Sequence, residues 1–330
     1  MPGSVILGLG AHRPPRVITN EELAGELAVT ADALFAASGV RERPRAEVGQ
    51  GPSHLACAAA REALAMADAE PTDVDCIIFA TISPDIAFPG PGCFLQDQLG
   101  CNTVGALDIR AQDAGFVYAL ATGDRFVRAG KARRVLVCGG DVHSSALDYS
   151  ARAVATTPIF GDGAGVALLG DADEAGVLAT VLHSDATGYQ RFWCESPGSR
   201  TYPARMTRRH FDEGRHFYSL DASAIAEQAE TTLAATTDEV LRAANVATDA
   251  VSLFVMHYLD PRVAGRAAER AGLPAERVIA TAERGGHVAA GGIPIALTEA
   301  LQSGRVQRGD VVCCVAFGGG MAWGGALLRL

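Results

Sequence analysis

An α/β layered fold made of two similar halves is what this chain of 330 residues predicts. Three observations point there. Runs rich in branched residues, which read as strands, alternate with helical segments. The order of these segments in the second half repeats that of the first. The length holds about two domains' worth of protein at the usual ~100 to 200 residues per domain.

Taken in order, residues 5–9, 76–81, 104–109 and 135–138 read as strands, and residues 52–67 and 114–127 as helices. In the second helix Phe116, Leu120, Gly123 and Val127 share one face, and Gly130 supplies a stop. Residues 73–81 resemble residues 249–257, and residues 134–140 echo residues 310–318. The halves divide into residues 1–172 and 173–330, at the polar stretch 170–176. The region 184–221, with its Gly, Pro, Arg and aromatic residues, breaks the pattern and is expected to be a loop inserted over a pocket. Residues 311–328 are uncharged but carry five glycines between Gly318 and Gly325, so two buried strands joined by a glycine turn are expected and a membrane span is not. Asp162-Gly-Ala-Gly165 lacks the Lys-Ser/Thr of a phosphate loop and reads as a tight turn between strands.

Composition narrows the function classes. Hydrophobic residues make up 48% and charged residues 20%, which excludes disorder and coiled coil. The net charge of −10, without a basic stripe, argues against nucleic acid and anionic membrane partners. The start, MPGSVILGLG, lacks the features of a signal peptide, so a cytoplasmic location is expected. Eight cysteines without CxxC spacing are expected to be buried thiols, not disulfides or a zinc ribbon.

Four places can carry chemistry: Asp113 before an apolar helix, His257 at a strand end, His287 in Gly285-Gly-His-Val288, and the glycine turn at Gly319. An Asp at a helix start is often a cap, and a lone His is often a satisfied core residue. A glycine turn lets backbone N–H groups approach an oxyanion. Asp113 and His287 are expected to occupy corresponding positions of the two halves and to face each other. Asp, His and His also form a non-haem iron ligand set, but the short ligand spacing typical of such sites is missing, so no metal is expected.

Together these segments resemble the β-ketoacyl-acyl carrier protein synthase III family of the thiolase superfamily. The resemblance rests on Ile6-Leu-Gly-Leu-Gly10, Gly39-Val-Arg-Glu-Arg43, Ala87-Phe-Pro89, Phe160-Gly-Asp-Gly-Ala-Gly165, Gly292-Ile-Pro-Ile-Ala-Leu297 and Val315-Ala-Phe-Gly-Gly-Gly-Met-Ala-Trp-Gly324. It implies a thiolase-like fold, two βαβαβαββ halves in an αβαβα layering, and a homodimer that takes an acyl thioester by its pantetheine arm. The family's catalytic set is Cys, His and Asn. Its Ala-Ala-Cys-Ala-Gly-Phe motif matches Ala111-Gln-Asp-Ala-Gly-Phe116, which puts Asp113 at the nucleophile position. The histidine is kept as His257, and His287 stands for the asparagine. The resemblance further implies an oxyanion hole from the N–H groups of Asp113 and Gly319, and an acyl pocket bordered by Phe88 and Tyr258. The Trp and Arg that grip the adenine of coenzyme A are replaced by Ala33 and Ala37.

A carboxylate attacking a thioester would give a reactive mixed anhydride, so acyl storage on the protein is not expected. The expected activity is direct acyl transfer from coenzyme A or an acyl carrier protein to an alcohol, amine or carbon acid, with no cofactor beyond that carrier. His257 would act as base, oriented or charge-stabilised by Asp113, with His287 as a second proton carrier or a donor to the substrate. The alternatives are a malonyl-thioester decarboxylase or hydrolase, and a non-catalytic subunit of a synthase.

Overall fold

A computed structural model of the chain describes residues 3–283 and 285–330. The first half opens with β1 (Gly3–His12), then a small pair, β2 (Val17–Thr19) and β3 (Glu42–Pro44), around helices α1 (Asn20–Leu27) and α2 (Ala31–Ser38). It continues through α3 (Pro52–Met66), β4 (Cys76–Ala80), α4 (Pro91–Leu99), β5 (Gly105–Ile109), α5 (Gly115–Arg128), β6 (Arg134–Asp141) and β7 (Gly163–Ala172). The second half begins at β8 (Val177–Ser184). A covering segment follows, with β9 (Phe192–Trp193), α6 (Arg208–Asp212) and β10 (Ser219–Leu220). Then come α7 (Ala222–Ala244), β11 (Leu253–His257), α8 (Pro261–Arg270), β12 (Val278–Ala280), α9 (Gly292–Gln302), β13 (Val311–Gly318) and β14 (Ala322–Arg329).

Two five-stranded sheets result, ordered β1-β7-β6-β4-β5 and β12-β11-β13-β14-β8. Each joins parallel strands to antiparallel ones, and the two orders mirror each other. Helices α5 and α9 lie between the sheets, α3 and α4 cover the first and α7 and α8 the second. This is the expected αβαβα layering. The central core gathers Ile78, Phe116, Leu120 and Val137 with Val255, Ile293 and Leu297, so one apolar body spans both halves. Phe116, Leu120, Gly123 and Val127 are all buried on α5 as their spacing requires, and Gly130 takes the left-handed φ of 65° that ends the helix.

The strand and helix starts fix how the halves correspond. Cys76 matches Leu253, Gly115 matches Gly292 and Arg134 matches Val311. The alignment expected from sequence is therefore one residue out of step: Ala80, not Thr81, matches His257. On the same correspondence Asp113 matches Ala290, so Asp113 and His287 are not equivalent positions although they do meet. Side chains alternate along a strand, so only the ladder itself settles such a step.

Asp162-Gly-Ala-Gly165 is not a turn between strands. Gly163 and Gly165 begin β7, and a Cβ on Gly165 would overlap the backbone of α9 at Pro294, so the glycines serve close helix-on-sheet packing. Residues 311–328 form the antiparallel pair β13 and β14, as expected. All eight cysteines are free, but only Cys76, Cys138, Cys313 and Cys314 are buried as expected; Cys57 and Cys101 are half-buried and Cys93 and Cys194 exposed. No helix among the described residues is long and apolar enough to cross a membrane.

Candidate active site

The site lies at the carboxyl ends of the edge strands β5 and β12 and the inner strands β11 and β13. Gln112, with a left-handed φ of 45°, bends the chain after β5 and sets Asp113 at the threshold of α5. Such a conformation in a non-glycine residue is strained and must be held by its surroundings. Asp113 is 1% exposed and does not cap the helix. Its Oδ1 meets His287 Nε2, and its Oδ2 accepts the Gly319 N–H at 3.2 Å. The cap reading therefore gives way: the carboxylate reaches across to the other half.

His257 ends β11 and His287 precedes α9; both are fully buried. Their rings stack at 4.6 Å with planes 10° apart. His257 Nδ1 lies 2.8 Å from Thr281 Oγ1, and its Nε2 has no protein partner. The expected orientation of His257 by Asp113 is thus corrected: Thr281 holds His257, and Asp113 holds His287. The expected oxyanion donor Gly319 is likewise engaged, by the Asp113 carboxylate.

Electrostatics follow from burial. Burial alone raises the Asp113 carboxyl, yet the His287 ring against it, with His257 and His143 close by, keeps it below the usual carboxylate range. Burial and the neighbouring His287 push His257 down to about 3, despite the opposing charge of Asp113. His257 is therefore neutral near pH 7.

Asp113, His257 and His287 also offer donor atoms within 4.8 Å of one another, the set of a two-histidine, one-carboxylate metal centre. The ring stack does not suit one. Lone pairs of rings lying so nearly parallel run in parallel planes instead of converging on one ion, and the carboxylate is already bonded to one ring. Hydrogen bonding and proton transfer are the chemistry this arrangement fits.

Two residues escaped the sequence reading. His143, fully buried just after β6, stacks 6.4 Å from His287, and its Nδ1 lies 3.1 Å from the Tyr218 hydroxyl. Thr281 is the other. A histidine just past the carboxyl end of an inner strand was the available signal for His143, since α/β sheets place ligands there; Thr281 had none.

The segment 184–221 does cover the site. A cavity of about 310 Å³ lies under it, bordered by Arg110, Gln112, Phe192, Tyr218 and Gly320, the neighbours of Asp113 and Gly319. A polar cavity of about 490 Å³, bordered by Asp148, Arg152, Glu213 and Arg215, adjoins it across Trp193 and Tyr218. Phe88 is 82% exposed, and Tyr258 is buried against Phe317; neither borders these cavities. Ala33 and Ala37 are exposed on α2.

The comparisons agree with this architecture. Residues 107–186 match the family model for 3-oxoacyl-[acyl-carrier-protein] synthase III, and residues 241–330 match that of its C-terminal part. The β-ketoacyl-[acyl-carrier-protein] synthase III of Methylococcus capsulatus strain Bath is 36% identical over 326 residues, covering 99% of this chain and 98% of the relative. The chain belongs to the ketoacyl synthase III family. The crystal structure of 3-oxoacyl-[acyl-carrier-protein] synthase III from Aquifex aeolicus VF5 superposes with a TM-score of 0.89 at 32% identity, covering 99% of this chain and 100% of that one. The priming β-ketosynthase of the R1128 polyketide pathway superposes with a TM-score of 0.90 at 26% identity, covering 99% and 96%. The family is one of thiolase-fold transferases of fatty acid or polyketide biosynthesis.

Close packing around the site yields a first prediction. A Cβ at Gly318 would overlap the Asp113 carboxylate, and one at Gly292 would overlap the His257 ring. Gly318→Ala and Gly292→Ala are each expected to lower unfolding free energy by about 1–3 kcal/mol in urea titrations. Gly265→Ala, in the open on α8, should leave stability unchanged or raise it.

Proposed function

We propose that this protein is an acyltransferase that moves an acyl group from a thioester directly to an alcohol, amine or carbon acid, without storing it on a side chain. One observation carries the reading. Both oxygens of Asp113, the residue at the family's nucleophile position, are engaged, while the buried His257 Nε2 is left free.

In this scheme the acceptor X–H gives its proton to His257 Nε2 as X attacks the thioester carbonyl. The C–X bond forms, the C–S bond breaks, and the proton passes from His257 to the departing sulfur. The negative Asp113 steadies the transient imidazolium, and Thr281 Oγ1, accepting from His257 Nδ1–H in this scheme, orients the ring. The carbonyl oxygen competes with Asp113 Oδ2 for the Gly319 N–H, a donor worth about 3–4 kcal/mol of barrier in comparable sites. His287, bonded to Asp113, serves as the second proton carrier. The donor arm is that of coenzyme A or an acyl carrier protein. With alanine at 33 and 37, an acyl carrier protein or another grip on coenzyme A is favoured. A homodimer covering the exposed Phe88 belongs to the same reading.

Decarboxylation of a malonyl thioester ranks second, because the anionic Asp113 repels a substrate carboxylate. A non-catalytic role ranks below both, since three ionisable groups converge where inert residues would serve. The test is intact-mass spectrometry of the protein incubated with a labelled acyl thioester and an alcohol or amine acceptor. Acylated acceptor should form with no acyl-protein adduct on the pathway. An adduct that forms and decays at the catalytic rate overturns direct transfer, and carbon dioxide release without an acceptor moves the assignment to decarboxylase.

A further inference from the structure

His143 has no role in the scheme above, yet it stands against the reacting groups. Its ring lies 4.9 Å from Phe160, 5.7 Å from Tyr218 and 6.4 Å from His287. Phe160, Phe192 and Tyr218 contact one another and form an otherwise apolar wall behind the Asp113–His287 pair. The only polar groups that these four side chains present are the His143 ring and the Tyr218 hydroxyl, and those are bonded to each other through Nδ1. His143 Nε2 is buried and has no protein partner. A buried polar atom left unpaired costs stability and is rare in a native interior, so it calls for a ligand that completes it.

In the tautomer where the Tyr218 hydroxyl donates to Nδ1, the ring proton resides on Nε2, a buried donor with no protein partner. A thioester carbonyl at Asp113 and Gly319 would lie one imidazole away from this donor, because His287 bonds Asp113 and its ring lies 6.4 Å from that of His143. Resting on the acyl-thioester reading, we propose that His143 is a specificity residue that donates a hydrogen bond to an oxygen on the acyl chain. The transferred group is then a hydroxyacyl or oxoacyl group and not a plain alkyl chain. A site built to bond such an oxygen rejects the analogue without it, because the buried donor is left empty.

The experiment compares two non-reactive pantetheine amides of equal chain length, butanamide and 3-hydroxybutanamide, by calorimetric titration of the intact protein. The wild type should bind the hydroxylated analogue about ten- to a hundredfold more tightly. His143→Leu should abolish or reverse that preference, and His143→Gln, which keeps an N–H donor, should restore part of it. If His143→Leu fails to fold, Tyr218→Phe reads the same contact: it frees Nδ1 and should weaken the preference. Equal affinity of the wild type for both amides, or a preference that survives in His143→Leu, overturns the proposal. Binding of neither amide overturns the acyl-thioester reading itself, an outcome distinct from the loss of selectivity.

Discussion

Replacing His257 with alanine is expected to lower kcat/KM for acyl transfer about 10²- to 10⁴-fold, the usual worth of a positioned general base. Thiol release from an acyl thioester, with an alcohol as acceptor, measures it. The buried ring titrates at about 3, so the base is already deprotonated throughout the range above that value. The wild-type profile of kcat/KM should therefore lack the acid limb near 6.5 that an exposed catalytic histidine would show. Thr281→Val, which leaves Nδ1 without its partner, should lower the rate while keeping thioester affinity. A His257→Ala variant with wild-type kcat/KM would remove His257 from the reaction.

Mild acid is expected to destabilise this protein through its buried histidines. His143 and His257 both titrate at about 3 when folded, because burial disfavours the imidazolium, against 6.5 for the free side chain. Between those values the unfolded chain binds the extra protons. Stability is therefore fully present above about 6.5 and falls as the pH drops, by up to about 1.4 kcal/mol per pH unit for each histidine. Asp141 acts in the opposite sense. Burial raises its carboxyl to about 6 despite bonds from Ile82, Thr81, Ser83 and Ala290, so the folded state holds a proton that the unfolded state lacks down to 3.8. It offsets one histidine between about 6 and 4. The loss is then expected to set in near pH 6.5 and to run at about one net proton, ~1.4 kcal/mol per pH unit, between about 6 and 4, in urea titrations across that range. His143→Leu should remove one histidine's share of the slope. A stability that stays flat from pH 7 to pH 5 would mean that the two rings are not both held neutral.

Much of the architecture was legible in order along the chain. The apolar face of α5, the strand pair at the C-terminus and the covering segment each follow from local patterning, because a helix or strand shows its buried side as a period in its own residues. The positions of Asp113, His257 and His287 were legible too, through motifs that resemble the family's. What went astray was one-residue detail. The halves align one step away from the best sequence match, and the glycines of 163–165 pack a helix instead of making a turn.

The pairing of the polar atoms was not legible. Asp113 and His287 are 174 positions apart in sequence, and Gly319 is 206 from Asp113. No local pattern records which of two stacked imidazoles a carboxylate will choose, or that a backbone N–H expected to await an oxyanion will hold that carboxylate instead. His143 shows the same limit: it reads as one polar residue after a strand until Phe160, Tyr218 and His287 close around it. By itself the sequence determined the layered fold, the family and the residue types at the site. The tertiary structure alone decided who bonds whom, because that choice depends on a few ångströms of placement between elements brought together from both halves.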